Sequence, residues 1–229
     1  MHRNMRISLV IPCLNEEEGL RVLIPKIPSI VDETIIVDGG SIDGTVEVAR
    51  RSGAKVIHAK KRGYGRAYKM GFGTATGDVI VTADGDATYP VECIQQLIDV
   101  MIERRVEFVS SCRFPLRDSE SMSHRNFLGN AIISLMMSLL FNHRFTDGAS
   151  GMWVFHRQAL QCMKLRDDGW NLSLEIKLEA TLNARVGFCE YHMPYFMRAG
   201  TSKVARPWKA GISALLFLFA KRLAMVPHC

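Results

Sequence analysis

The segment at residues 77–90 reads GDVIVTADGDATYP. Its centre, VIV at residues 79–81, is a continuous apolar run without alternating polar side chains. A short run of this kind is typical of a strand buried on both faces, as in a parallel sheet covered by helices. Asp84, Gly85 and Asp86 follow directly, so two carboxylates stand at the carboxyl end of the predicted strand.

Comparable apolar runs alternate with helical segments through the first half of the chain. This alternation predicts an α/β fold with a doubly wound, mostly parallel sheet, helices on its faces and right-handed crossovers. Predicted strands lie at residues 7–12, 34–38, 55–58, 78–83 and 107–111. Predicted helices lie at residues 16–23, 45–51, 65–74 and 91–103.

The pattern changes after residue 112, where a polar segment at 115–123 indicates a subdomain boundary within one domain. Leu174, Leu178 and Leu182 share one face of a predicted helix, and apolar residues at helical spacing predict another near the C-terminus. The predicted elements are helices at 127–141, 174–186 and 207–224 and strands at 151–156 and 188–193.

Composition excludes several classes of protein. The chain has 229 residues, 48% hydrophobic and 23% charged, which excludes a disordered or fibrous chain. The apolar runs are shorter than the roughly 18 to 20 residues that cross a bilayer. The apolar run at 7–14 ends in charged residues without a cleavage site, so we expect a cytoplasmic protein. Six dispersed cysteines predict reduced thiols.

The formal charge of +6 predicts an anionic partner, which leaves nucleic acid, a phosphorylated ligand and a membrane surface open. No nucleic-acid-binding motif accompanies this charge, so no nucleic-acid partner is expected. The basic loop at 61–66 does not complete a dinucleotide fingerprint, because Tyr68 stands where the last glycine belongs. Arg198 and Lys203 form either a diphosphate clamp or a solvated basic loop.

The predicted strand ends carry the candidate chemistry, since open α/β sheets bind ligands beyond the carboxyl ends of their strands. Asp84 and Asp86 could share one Mg²⁺ or Mn²⁺ that keeps water and substrate phosphates as its other ligands. The alternative is an ordinary acidic turn. Asp38 could contact a base or ribose, whereas Asp43 is best explained as a helix N-cap.

Five sequence blocks follow one another along the chain: SLVIPCLNEEEGL, IIVDGGSIDGT, GDVIVTADGDATYP, TDGASGMWVFHRQAL and MPYFMRAGTSK. In this order they resemble inverting family 2 glycosyltransferases, specifically the dolichol-phosphate mannosyltransferase and polyprenyl-phosphate glycosyltransferase group. The resemblance covers about residues 7–203 and implies a GT-A fold and a nucleoside-diphosphate sugar as donor. It divides the chain into a nucleotide-sugar half at 1–112, an acceptor half at 113–205 and a C-terminal apolar helix at 206–229.

The resemblance also implies roles for individual residues. Two departures from the family pattern are Gly39, where a second aspartate is common, and Leu14, where several members have an aromatic residue. Thr88, a possible third metal ligand, stands where glutamine is frequent. The implied nucleoside contacts are Pro12, Leu14, Glu16 and Asp38; the metal site is Asp84, Asp86 and Thr88 around Gly85; the phosphate contacts are Arg113, Arg125, Arg198 and Lys203.

The expected reaction is metal-dependent, inverting sugar transfer to a polyprenyl phosphate. A saccharide or other hydroxyl acceptor and a non-catalytic binding protein remain alternatives. Asp147 is either a base or acceptor-positioning carboxylate, or a residue that caps a turn. The apolar helices at 127–141 and 212–223 predict a peripheral protein at the cytoplasmic face of a membrane; the alternative is that both pack into a core or dimer interface.

Overall fold

The computed structural model describes residues 2–201 and 207–225 and contains a seven-stranded sheet. The strand order is β3-β2-β1-β4-β6-β5-β7. Strand β6 runs antiparallel to both of its neighbours, and every other pairing is parallel. The predicted mostly parallel sheet is therefore confirmed, with one reversed strand. The strands are β1 Ile7–Cys13, β2 Glu33–Asp38, β3 Lys55–His58, β4 Val79–Thr82, β5 Phe108–Cys112, β6 Trp153–His156 and β7 Phe188–His192.

Helices cover both faces of the sheet. One apolar cluster joins β1 and β4 to α1 and α4, and another joins β1 and β6 to α3 and α6. This double coverage explains why the residues of β4 are buried throughout. The helices are α1 Glu17–Leu23, α2 Thr45–Arg51, α3 Tyr64–Thr74, α4 Ile94–Glu103, α5 His124–Phe141, α6 Leu172–Leu182 and α7 Pro207–Leu223.

Three of the predicted helices differ from the structure by more than one residue at an end. Helix α5 begins at His124 rather than at residue 127. A 3-10 turn at Val91–Cys93 precedes α4. Helix α6 begins and ends earlier than predicted, because Asn183 leaves it in an extended conformation. Leu182 therefore lies at the helix end and is 38% exposed, although the sequence pattern placed it on the buried face.

Helices α5 and α7 pack against each other on a third apolar cluster. Met137 and Phe141 of α5 and Ala214 and Leu218 of α7 are buried in it. Other apolar side chains of the two helices remain exposed. We call them the α5–α7 apolar face: Phe127, Leu128, Ile132, Leu135, Leu139, Ile212, Leu216, Phe219 and Leu223.

Within the described ranges, no helix has the length and apolarity needed to span a bilayer. The cysteines in those ranges are free, and the prediction of reduced thiols stays a prediction: Cys13, Cys93, Cys112, Cys162 and Cys189.

Candidate active site

The carboxyl ends of β1, β2 and β4 lie side by side at one edge of the sheet, and we call the region beyond them the crevice. Strand β1 lies between β2 and β4, so the sheet order reverses there, and such switch points are where α/β sheets bind ligands. The strand ends bring together four acidic side chains from separate parts of the sequence. They are Glu16, Asp38, Asp84 and Asp86.

Asp84 lies at the base of this crevice beneath two tyrosines of α3. The hydroxyls of Tyr64 and Tyr68 donate hydrogen bonds to Oδ1 of Asp84, over 3.0 and 3.2 Å. Burial and the nearby charge of Asp86 raise the pKa of Asp84 to about 7. Burial also raises the pKa of both tyrosines well above its usual value, so the phenols stay protonated donors.

Asp86 is held from two sides. Its Oδ1 accepts hydrogen bonds from the backbone amide of Thr88 over 3.1 Å and from the Thr88 hydroxyl over 2.7 Å. Its Oδ2 accepts one from Nη1 of Arg198 over 2.6 Å. The Thr88 hydroxyl therefore orients Asp86, and the prediction that Thr88 itself binds metal stays a prediction.

Close backbone packing fixes the loop between the two aspartates. A Cβ atom at Gly85 would lie 2.7 Å from Sγ of Cys13, and one at Gly19 of α1 would lie 2.1 Å from the Gly85 carbonyl oxygen. Only glycine fits at either position without displacing the loop. The spacing between Asp84 and Asp86 is thus determined by contact with β1 and α1.

Arg198 connects the late part of the chain to this crevice. Its guanidinium also donates a hydrogen bond to Glu16, so one cation joins carboxylates that follow β1 and β4. The backbone amides of Ala199 and Phe196 donate to the carbonyl oxygens of Asp86 and Thr88, over 3.0 and 2.9 Å. The loop that carries Arg198 is therefore pinned to the aspartate loop.

Asp38 lies at the end of β2 and caps the turn that follows. Its Oδ1 accepts from the amide of Ser41 over 3.0 Å, and its Oδ2 lies 3.2 Å from both the amide of Gly40 and Nδ1 of His58. Burial opposes ionisation, but these hydrogen bonds lower the pKa of Asp38 overall. Leu14 lies beside this turn, with its Cβ 3.7 Å from the position of a Cβ added to Gly39.

The flanking residues fit this arrangement. Pro12 pairs with Val37 and is the second-last residue of β1, next to Cys13, which ends the strand. Asp43 accepts hydrogen bonds from the amides of Glu17 and Thr45, so its contacts are structural. The N-cap of α2 is nevertheless Gly44, one residue later, and the prediction of Asp43 as the N-cap is wrong.

A second charged centre is buried beside β5. Arg113 forms a two-point ion pair with Asp147, with both nitrogen–oxygen distances at 2.7 Å. The amide of Arg113 and Nδ2 of Asn130 donate to the same carboxylate, over 2.9 and 3.0 Å, so each oxygen accepts two hydrogen bonds. Although burial opposes it, the charge of Arg113 lowers the pKa of Asp147.

Lys177 supports this centre from α6. Its Nζ is fully buried and donates to the carbonyl oxygens of Asp147 and Gly148, over 2.6 and 2.9 Å. Burial lowers the pKa of Lys177 to about 8. These contacts orient the Asp147 turn, which favours a positioning role for that residue.

Two of the residues predicted to contact phosphate, Arg125 and Lys203, have not been placed so far. Arg125 lies in the first turn of α5 with its side chain exposed. Lys203 falls in the segment 202–206, outside the described residues. Both stay predictions.

Sequence reasoning missed Tyr64, Tyr68 and Lys177. The signal for the tyrosines was their spacing of four residues, which places them on one face of a helix. Lys177 was identifiable only as a charged residue among apolar ones on an otherwise buried helix.

The donor set of Asp84 and Asp86 fits a hard divalent cation that takes its remaining ligands from substrate and water. Both residues offer carboxylate oxygens, the ligand type that such a cation prefers. The pKa of Asp84 is raised first by burial and then by the nearby charge of Asp86, so a bound cation would offset both effects. Among residues 2–201 and 207–225 there is no cluster of three or more acidic, histidine or cysteine side chains that could hold a metal. The described residues therefore do not form a metal site in which every ligand comes from the protein.

A family model described as "Glycosyl transferase family 2" matches residues 8–164, which is more than half of the chain. This chain belongs to glycosyl transferase family 2. It is therefore a glycosyltransferase, and the resemblance drawn from its five sequence blocks is confirmed at the level of the family.

Several named relatives of this family 2 transferase are known. A dolichyl-phosphate hexose transferase of Haloferax volcanii is 30% identical over 201 residues, covering 86% of each chain. A dolichol-phosphate mannosyltransferase of Pyrococcus furiosus is 26% identical over 76% of this chain and 53% of its own length.

Solved structures establish the fold of this family 2 transferase. Glucosyl-3-phosphoglycerate synthase of Mycobacterium tuberculosis, solved with Mn²⁺, uridine diphosphate and glucosyl-3-phosphoglycerate, matches with a TM-score of 0.72. The match covers 98% of this chain and 82% of that one, at 21% identity. The likeness shows the predicted GT-A fold.

Proposed function

We propose that this transferase moves a hexose from a nucleoside-diphosphate sugar to a polyprenyl monophosphate of the dolichyl type, with inversion at the anomeric carbon. The observation that carries the proposal is the Haloferax volcanii dolichyl-phosphate hexose transferase, which is 30% identical and matches over most of both chains. The acidic crevice and the exposed apolar helices of this chain support it independently.

The donor would lie across the strand ends of the sheet. Asp38, with its lowered pKa, offers an ionised acceptor for the nucleoside, next to Leu14 and Pro12. The diphosphate would lie toward Asp84, Asp86 and the Arg198 guanidinium. In this arrangement Arg198, from the proposed acceptor half at 113–205, reaches Asp86 of the proposed nucleotide-sugar half at 1–112.

Departure of the diphosphate is the step that needs positive charge. Arg198 already sits among carboxylates, and its Nε is buried without a hydrogen-bond partner among the described residues. That nitrogen can donate to an incoming phosphate oxygen. Mg²⁺ or Mn²⁺ held by Asp84 and Asp86 would add positive charge against the leaving diphosphate when bound.

A phosphate acceptor explains why no free base is needed. The second pKa of a phosphate monoester is about 6, so the acceptor is already ionised at neutral pH. Each oxygen of Asp147 already accepts two hydrogen bonds, and its pKa is lowered. We therefore infer that Asp147 positions Arg113 toward the acceptor phosphate, whereas a hydroxyl acceptor would require a base.

The acceptor lipid requires a membrane surface, and we infer that the α5–α7 apolar face meets it. The exposed apolar side chains lie on two packed helices, and Lys209 and Arg222 on α7 are exposed. Lys221 of α7, by contrast, is mostly buried and pairs with Glu179 over 2.7 Å. We expect peripheral attachment to the cytoplasmic face.

A transfer assay tests the proposal. Purified protein is offered UDP-glucose or GDP-mannose, with Mn²⁺, and either a polyprenyl phosphate in detergent or a soluble saccharide. The proposal requires product on the lipid phosphate, with inverted anomeric configuration by NMR. Faster transfer to the saccharide would support the alternative of a hydroxyl acceptor, and binding without turnover would support a non-catalytic protein.

A further inference from the structure

An aromatic pair lies next to Asp84, and one of its members, Trp170, takes no part in the contacts described above. The rings of Tyr64 and Trp170 are stacked with their centroids 4.4 Å apart and an interplanar angle of 26°. The hydroxyl of Tyr64 is hydrogen-bonded to Asp84. Trp170, by contrast, is 48% exposed although it is the largest type of apolar side chain.

The loop that presents Trp170 is held firmly by hydrogen bonds. The carboxylate of Glu175 accepts from the amides of Arg166 and Asp167, both over 2.8 Å. The carbonyl oxygen of Gly169 accepts from the amide of Gly65 over 3.1 Å. The loop that carries Trp170 is thus bound to both α3 and α6.

Close backbone approach keeps the two rings together. A Cβ atom at Gly65 would lie 2.5 Å from the carbonyl oxygen of Asp167, so a larger residue would push the loop away from α3. Asp168 also forms ion pairs with Arg66 and Lys69 of α3. These contacts hold Trp170 against Tyr64, the tyrosine whose hydroxyl is hydrogen-bonded to Asp84.

We propose that the Tyr64–Trp170 pair contacts the pyranose ring of the donor hexose and contributes to sugar selection. This inference rests on the proposed function, which places the diphosphate at Asp84 and Asp86. The diphosphate joins the nucleoside to the hexose, and the proposed function places the nucleoside at Asp38. The hexose is therefore the part of the donor left for the side of Asp84 on which Tyr64 lies. The C–H face of a pyranose is apolar and packs on aromatic faces, while its hydroxyls remain solvated or hydrogen-bonded.

Binding measured without any acceptor tests this inference. Calorimetry gives the affinity ratio of UDP-glucose to UDP and of GDP-mannose to GDP, each with Mn²⁺, for wild type and Trp170→Ala. We expect Trp170→Ala to lower the preferred sugar nucleotide's affinity by roughly threefold to tenfold, with the free nucleotide unaffected. Trp170→Phe keeps a flat ring and should recover most of the loss.

Trp208→Ala is the matched control, since Trp208 is an exposed tryptophan on α7. It should leave the affinity ratio unchanged, and circular dichroism checks that each variant is folded. Equal loss of sugar nucleotide and free nucleotide, an unchanged ratio in Trp170→Ala, or a wild type that does not distinguish the two ligands would each overturn the inference. A defect confined to the KM for polyprenyl phosphate would also overturn it, by assigning Trp170 to the lipid.

Failure of the proposed function gives a different result. If wild type transfers no sugar to polyprenyl phosphate but Trp170→Ala still loses the sugar contribution to binding, the acceptor is wrong and the aromatic contact holds. If wild type binds none of the four ligands, both the proposed donor and the aromatic contact are contradicted.

Discussion

Arg198 donates a hydrogen bond from Nη1 to Oδ2 of Asp86 over 2.6 Å, joining residues 112 positions apart in the chain. The same guanidinium reaches Glu16. Arg198 therefore offsets the negative charge of these two carboxylates, and it occupies one oxygen of a candidate metal ligand. In the proposed complex with donor and metal, Arg198 would share Asp86 or turn toward the diphosphate.

We expect Arg198→Ala to lower the rate of sugar transfer by roughly a hundredfold to a thousandfold, as for loss of one preorganised donor to a developing charge. Arg198→Lys keeps the charge but loses the planar fork that spans two carboxylates, so it should remain impaired. Steady-state kinetics with saturating donor measures both. Arg51→Ala, which removes an exposed arginine of α2, is the control. Wild-type kinetics in Arg198→Ala would assign the residue to a structural ion pair.

Replacing Asp86 with Asn should abolish most transfer while the fold is kept. The amide retains an oxygen for Thr88 but removes the negative charge that a divalent cation needs. Activity is measured with Mn²⁺ and after EDTA treatment, and Mn²⁺ binding is followed by electron paramagnetic resonance. Asp99→Asn, on α4, serves as the matched acidic control. Full wild-type activity in excess EDTA would rule out metal dependence.

The pKa of Asp84 predicts how stability depends on pH. Its folded-state pKa of about 7 lies above the usual 3.8, so the folded protein binds this proton more tightly than the unfolded chain does. The resulting stabilisation is fully present below about pH 4 and is lost as the pH rises through about 7. We therefore expect this group to lower the melting temperature of the metal-free protein between pH 5 and pH 8.

Mn²⁺ should oppose that loss, because it binds the ionised carboxylate and competes with the proton. Thermal unfolding at pH 5, 6, 7 and 8, with and without Mn²⁺, measures both effects. Asp84→Asn keeps an oxygen for Tyr64 and Tyr68 but cannot titrate, so its difference from wild type should vary across this range. A constant difference between the two proteins would show that Asp84 does not titrate there.

Much of the sheet was predictable, because each strand is a short apolar run followed by a polar turn. The direction of β6 was not, since an apolar run reads alike in both directions. Its direction depends on the path of the chain through α5, which brings β6 between β4 and β5. That path is a property of tertiary packing.

The acidic strand ends were also predictable, since Asp38, Asp84 and Asp86 each follow an apolar run. The partners of these carboxylates were not. Tyr64 reaches Asp84 through the placement of α3, and Arg198 reaches Asp86 from a distant loop. Contacts at such sequence separations depend on how the elements pack, which periodicity does not encode.

Asp147→Asn should lower the free energy of unfolding and also slow sugar transfer. The substitution leaves Arg113 charged and buried without its counter-ion, a change that typically costs about 3 to 5 kcal/mol. Chemical denaturation with urea measures the free energy of unfolding, and transfer assays measure the rate. Unchanged stability with abolished transfer would instead favour a direct catalytic role for Asp147. Asp118→Asn, on the exposed turn before α5, is the control.

The α5–α7 apolar face should bind lipid vesicles. Leu216 and Phe219 are 65% and 46% exposed, so replacing both with Glu adds charge to this face without burying it. We expect wild type to co-sediment with phosphatidylglycerol vesicles, more strongly with higher anionic content and less strongly in salt. The double variant should stay in the supernatant and remain folded.

Val22→Glu, an exposed apolar position on α1, is the matched control for this experiment and should still co-sediment. The location of the substitutions also separates two explanations of the exposed helices. If α5 and α7 instead form a dimer interface, the double variant should change the oligomeric state in solution, as measured by analytical ultracentrifugation, whereas vesicle binding should be absent in wild type. A monomeric wild type that binds anionic vesicles, with binding lost only in the double variant, requires the membrane contact, because no protein partner is then present to cover those side chains.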